Sequence, residues 1–277
     1  MKRYFIGATL LVAIITLVGA GCAPMMNSDV GKTFMQSDSK DYPPYKEIVD
    51  PSGYVNIDKI TIGELVGKKV ILLDILTYSC INCIRTFPYV NDWYEKYKDD
   101  GLEIIGIHTP EFAFEKKYEN VVEAMKKYGI KFPVVLDNDF ATWNAYGNRY
   151  WPRKYLIDIN GNIVYDHIGE GGYAETEAKI QELLKERMEK LGMEPVVPHE
   201  VNSVKESEIK VGSPEVYFGS DRNELLANGK KFTGGKASFV APTDVQKNKL
   251  YLAGEWNIIG EHAENTSKQA KIIFRYN

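Results

Sequence analysis

The sequence predicts a mixed α/β sheet flanked by helices, followed by a small all-β C-terminal segment. Three observations carry this. Short apolar, β-prone runs alternate with amphipathic helical patterns over residues 46–191, the pattern of an α/β domain. A C-x-x-C pair, Cys80 and Cys83, stands where one such run gives way to a helical pattern. Beyond residue 207 no helical period appears, and β-prone runs are separated by turn residues. The chain has 277 residues, enough for two modest domains, and its net charge of −4 gives no indication of a nucleic-acid partner. Charged runs such as Glu115-Lys116-Lys117 read as solvated helix faces.

Residues 1–22 have a basic start at Lys2-Arg3, an apolar stretch and small residues before Cys22, the layout of an export signal. The run Leu17-Val18-Gly19-Ala20-Gly21-Cys22 resembles a bacterial lipobox, with Gly19 departing from the usual branched residue. The resemblance implies lipidation of Cys22 and anchoring of the chain outside the cytoplasm. An uncleaved apolar anchor and a simple secreted form are the alternatives. Residues 23–45 are polar, end in Pro43-Pro44 and read as a tether. The chain has three cysteines. With lipid on Cys22, Cys80 and Cys83 remain as a pair, and so tight a loop fits redox chemistry better than a structural staple.

Residues 53–65 enter the domain as a short strand and turn. Residues 69–76 form a nearly continuous apolar run, expected to be a strand covered on both faces and broken only by Asp74. Residues after Cys83 place Ile84, Phe87, Val90, Tyr94 and Tyr97 at helical spacing, with Pro88 expected to kink the helix. Residues 102–108 are a second buried-type strand, 114–128 a helix, 132–136 a third strand and 140–146 a short helix. Residues 154–158 and 162–167 flank Asn160-Gly161 as a hairpin, and 174–191 form a long amphipathic helix. Residues 192–207 read as a linker. Within 208–277, the runs 215–219, 236–240, 249–259 and 269–276 are expected strands.

The phrases Thr77-Tyr78-Ser79-Cys80-Ile81-Asn82-Cys83, His108-Thr109-Pro110-Glu111-Phe112, the run from Asp137 to Tyr146, and Tyr150-Trp151-Pro152 resemble the thioredoxin-like proteins of the TlpA-like branch, DipZ type. The resemblance covers about residues 54–184. It implies a thioredoxin fold, with Asp74 as the buried carboxylate below the Cys pair, Pro88 as the kink of the active-site helix and Pro152 as a cis-proline facing the disulfide. It also implies that 208–277 resembles a carbohydrate-binding β-sandwich, either minimal or truncated, with glycan contact as its implied role.

The chemistry expected is thiol–disulfide exchange in an exported protein. Cys80, at a helix N-terminus, is the candidate nucleophile and Cys83 the resolving thiol. Asp74 is either a base for Cys83 or simply a hydrogen-bonded strand residue. Trp151, Pro152 and Tyr78 are candidate substrate contacts. Trp143, Tyr146 and Tyr150 are further candidates for the groove, although the spacing of the first two fits the core equally. His108 reads as a loop-capping histidine or, with the two cysteines, a copper ligand. No cofactor beyond a Cys80–Cys83 disulfide and no metal is expected. The implied partners are a separate CcdA-like membrane electron donor and the disulfides of exported proteins. A peroxiredoxin-type peroxidase, a copper carrier and a glycan-binding module are the competing functions.

Overall fold

The computed structural model describes residues 42–194, 199–200 and 212–276. The expected signal segment with Cys22, nearly all of the expected tether and most of the expected linker therefore lie outside the described residues. No helix among the described residues is long and apolar enough to cross a membrane.

The first sheet has six strands: β1 (Gly53–Val55), β2 (Val70–Leu76), β3 (Leu102–His108), β4 (Val134–Leu136), β5 (Arg153–Ile157) and β6 (Ile163–Ile168). Their spatial order is β1-β4-β3-β2-β5-β6. β2, β3 and β4 run parallel, while β1, β5 and β6 are antiparallel to their neighbours. The crossovers are α1 (Ile81–Tyr97) between β2 and β3, and α2 (Tyr118–Lys127) between β3 and β4. The short α3 (Ala141–Ala145) precedes β5, and α4 (Tyr173–Leu191) follows β6.

β2 is the central strand and every one of its residues is buried. Side chains alternate along a strand. Val70, Leu72 and Leu76 accordingly join Cys83, Phe87, Val90, Trp93 and Tyr97 of α1 and Ile180, Leu183 and Leu184 of α4 in one core. Ile71, Leu73 and Ile75 meet Ile60, Ile62, Trp143 and Tyr155 in a second core on the opposite face. Each fully buried large side chain contributes roughly 1.5–3 kcal/mol, so these cores dominate the domain's stability. The same alternation puts Asp74 on the α1 face, between Leu72 and Leu76. On the neighbouring strand its partner is Gly106. A Cβ there would approach Leu76, Phe132 and Val134 at 3.1–3.2 Å, so this glycine allows the sheet to pack closely beside the Asp74 position.

Three expectations need correction. The expected helix over 114–128 is divided into a 3-10 turn, Ala113–Lys116, and α2, with Lys117 extended between them. The cause is Glu115, whose side chain turns inward instead of facing solvent and accepts bonds from the Glu111 and Phe112 amides. The strand expected from 132 starts at Val134. Pro133, without an N–H, can only accept in the ladder, and its carbonyl takes a bond from Gly106. Residues 215–219 do not form a strand, while a short one at Ala263–Asn265 was not anticipated. Pro88 lies inside α1 as expected, and Trp93, outside the expected stripe, is buried beside Phe87 and Val90.

The C-terminal segment is an antiparallel sheet around β8 (Leu250–Ile258), which pairs with β7 (Gly235–Phe239), β9 (Ala263–Asn265) and β10 (Lys271–Phe274). Its own small core consists of Leu226, Phe239, Leu250, Leu252, Trp256 and Ile258.

Candidate active site

The site forms where β2 ends and α1 begins. Cys80 is the N-cap residue of α1, with extended backbone, and its carbonyl accepts the first helical bond from Ile84 at 3.0 Å. Its side chain makes no capping bond. The amides of Asn82 and Cys83 are therefore free to point at its sulfur, as orphan N–H groups at a helix start do. Cys80 is half-buried, Cys83 is fully buried one turn along, and both are free thiols.

Their environments act in opposite directions. The Cys80 thiol is held below its ordinary value chiefly by a hydrogen bond from Cys83, with the Cys83 and Asn82 amides adding to the effect. Partial burial and the nearby Glu111 carboxylate oppose it. The Cys83 thiol is pushed well up, first by burial, then by its interaction with Cys80 and by the charge of Asp74.

Under this pair is a charged couple. Asp74 and Lys154 are cross-strand partners in the antiparallel β2–β5 register, so their side chains leave the same face. Lys154 Nζ is 3.1 Å from Asp74 Oδ1, and both residues are buried. The contact departs from hydrogen-bond geometry, and both carboxylate oxygens and the ammonium lack other partners among the described residues. Burial raises the Asp74 pKa, and the Lys154 charge only partly offsets this.

Beside Cys80 the carboxylates are fully engaged. Glu115 is buried, and its carboxylate accepts from Ser79 Oγ at 2.5 Å, the Glu111 amide at 2.6 Å and the Phe112 amide at 2.8 Å. Tyr78 donates to the Phe114 carbonyl at 3.4 Å and stacks on His108 with ring centroids 5.6 Å apart. His108 ends β3 in full burial, and its Nε2 lies 3.5 Å from Thr77 Oγ1. Desolvation lowers its pKa to about 4. No group of three or more His, Cys, Asp or Glu among the described residues could hold a metal ion.

The Trp151–Pro152 peptide bond is cis. Trp151 is fixed by its indole N–H, which donates to the Thr109 carbonyl at 3.0 Å, and by contact with Trp143 at 4.2 Å between centroids. Tyr150 is half exposed and Trp143 is core. The Tyr146 hydroxyl donates to the Lys46 carbonyl at 2.6 Å and ties down the start of the domain. Sequence reasoning missed Lys154 and Glu115. Only Lys154 had a detectable signal, a lysine within an otherwise buried-type strand.

The Redoxin family profile matches residues 44–184, and a profile described as a thioredoxin-like C-terminal domain matches residues 213–277. The chain is 39% identical over 208 residues to Protein DipZ of Mycobacterium bovis, a match covering 75% of this chain and 30% of that protein. It is 35% identical over 127 residues to thiol-disulfide oxidoreductase ResA of Bacillus thuringiensis, covering 46% of this chain and 68% of that one. A solution structure of a thioredoxin-like protein in the oxidized form matches at 26% identity with a TM-score of 0.49, covering 52% of this chain and 97% of that one. The six-stranded domain has a thioredoxin-like fold, and the chain belongs to the Redoxin family.

Proposed function

We propose that this chain is a membrane-tethered extracytoplasmic oxidoreductase that reduces or exchanges disulfides of exported proteins through Cys80 and Cys83. The observation that carries the reading is the asymmetry of the pair: a half-exposed thiol favoured as thiolate at a helix N-terminus, next to a buried thiol held protonated. That is the division of labour disulfide exchange needs.

The Cys80 thiolate attacks one sulfur of a substrate disulfide. A Cys80–substrate bond forms, the substrate S–S bond breaks, and the first substrate thiolate leaves. Cys83 then loses its proton and attacks the Cys80 sulfur. The Cys80–Cys83 disulfide forms and the second substrate thiolate leaves, so two electrons pass to the substrate. Asp74, whose proton affinity is raised by burial, is the proposed acceptor of the Cys83 proton. Pro152 and Trp151 supply backbone for an extended substrate segment to pair with, and Tyr78 flanks the entrance. No cofactor beyond the Cys80–Cys83 disulfide takes part.

Regeneration requires a dithiol donor, for which a CcdA-like membrane protein is proposed. Lipid on Cys22 would hold the domain near that donor. Equilibrating the soluble chain in thiol buffers tests the reading. A Cys80–Cys83 potential near thioredoxin's ~−270 mV or lower is expected for a reductant. A value near ~−120 mV would reverse the direction of electron flow, and failure to form the disulfide at all would overturn the reading.

A further inference from the structure

The C-terminal β segment reaches the active-site shoulder at one point. Arg222 Nη1 donates to Glu111 Oε1 at 2.6 Å, and the Tyr217 hydroxyl, which donates to Glu215 at 2.8 Å, lies 3.3 Å from the same Glu111 oxygen. The Arg222 guanidinium also lies over the rings of Tyr217 and Phe112, at 3.9 and 5.0 Å from their centroids. The Ala113 amide donates to Glu261 of the segment at 2.8 Å. The Glu111–Phe112–Ala113 stretch is thus held by the segment on one side. On the other, the Glu111 and Phe112 amides are held by Glu115, whose carboxylate also takes the Ser79 hydroxyl, one residue from Cys80.

We propose that Arg222 is a positioning residue for the dithiol: by pairing with Glu111 it neutralises the carboxylate nearest the shoulder and orients the Glu111–Glu115–Ser79 chain, so that the C-terminal segment sets the reactivity of Cys80. This rests on the oxidoreductase reading above and extends it to a second part of the chain. The charged and titratable groups around Cys80 are few. Glu111 opposes its ionisation and Cys83 favours it. Glu115 has its carboxylate bonded to Ser79 and to the loop amides. His108, one step further, is neutral above about pH 4. Around Arg222 itself stand Glu111, Tyr217 and Glu215. Of these, Glu111 is the carboxylate that both pairs with Arg222 and acts on Cys80.

Thiolate absorbance of the reduced full chain, followed against pH, tests this. Arg222→Gln leaves Glu111 uncompensated and should raise the Cys80 pKa by about half a pH unit, a roughly threefold loss of thiolate, and of alkylation rate, below that pKa. Arg222→Lys should retain most of the wild-type value. Glu111→Gln should lower it, and Arg222→Gln combined with Glu111→Gln should return it to wild type or below. If Arg222→Gln fails to fold, the Glu111→Gln titration still decides. An unchanged Cys80 pKa in either single variant, or a double variant as displaced as Arg222→Gln alone, would overturn the inference. The titration reads Cys80 whether or not the pair cycles as a disulfide, whereas the potential in thiol buffers tests the oxidoreductase reading separately.

Discussion

The floor beneath Cys83 and the shoulder beside Cys80 both contain carboxylates, but they treat them differently. In the floor, Asp74 faces one cation, Lys154, inside a closed apolar core, and neither group has a further partner among the described residues. In the shoulder, Glu115 is equally buried yet takes three hydrogen bonds, and Glu111 has an arginine. A buried carboxylate with several donors behaves as a structural clamp. One with a single imperfect partner retains a proton affinity that chemistry can use. The two thiols, one helical turn apart, are driven in opposite directions chiefly by their bond to each other, by the helix-start amides at Cys80 and by burial at Cys83, with the carboxylates as smaller contributions.

The largest expected effect comes from dividing the floor. Lys154→Ala leaves Asp74 buried and alone and should cost about 3–5 kcal/mol in denaturant unfolding. Replacing both, Asp74→Asn with Lys154→Met, should cost far less and could stabilise the fold. Equal losses in the single and double variants would mean that the pair's charges are not what matters there.

His108 provides a test by pH. Its folded pKa of about 4 lies below the ordinary value of 6.5. Between those values the unfolded chain binds a proton that the folded chain refuses. Stability should therefore fall as pH drops from about 6.5 to about 4, by up to about 3 kcal/mol in all. His108→Gln should flatten this part of the stability–pH curve. A curve unchanged by the substitution would contradict the dry environment assigned to the ring.

Asp74→Asn should slow resolution of the mixed disulfide by about a hundredfold, the lower range of general-base contributions, with little change in the rate at which Cys80 first attacks the substrate disulfide. Rapid-quench trapping of the mixed disulfide separates the two steps, and an unaltered resolution rate would remove Asp74 from the mechanism. The smallest effect should come from the shoulder: Ser79→Ala removes one of three donors to Glu115 and should cost about 1 kcal/mol, measured by thermal unfolding.

Much of this was legible in the residues. The apolar runs of β2 and β3 marked the buried strands, the Cys pair marked the start of α1, and Asp74 stood out as a carboxylate in an apolar run. What remained hidden depends on distant partners. Lys154 meets Asp74 only through strand register across about eighty residues, which no local period encodes. Glu115 lies in a charged run that reads as solvent-facing, and its burial is decided by the loop amides it caps. Arg222 is joined to Glu111 by a contact across 111 positions, from a segment of which only some strands could be read.

Residue-resolved alkylation of the reduced chain as a function of pH tests the central claim most directly. With iodoacetamide and mass-spectrometric mapping, Cys80 is predicted to react first and below the pH range of an ordinary thiol, with Cys83 unmodified until the fold opens. Equal labelling of the two, or labelling of Cys83 first, would contradict the account.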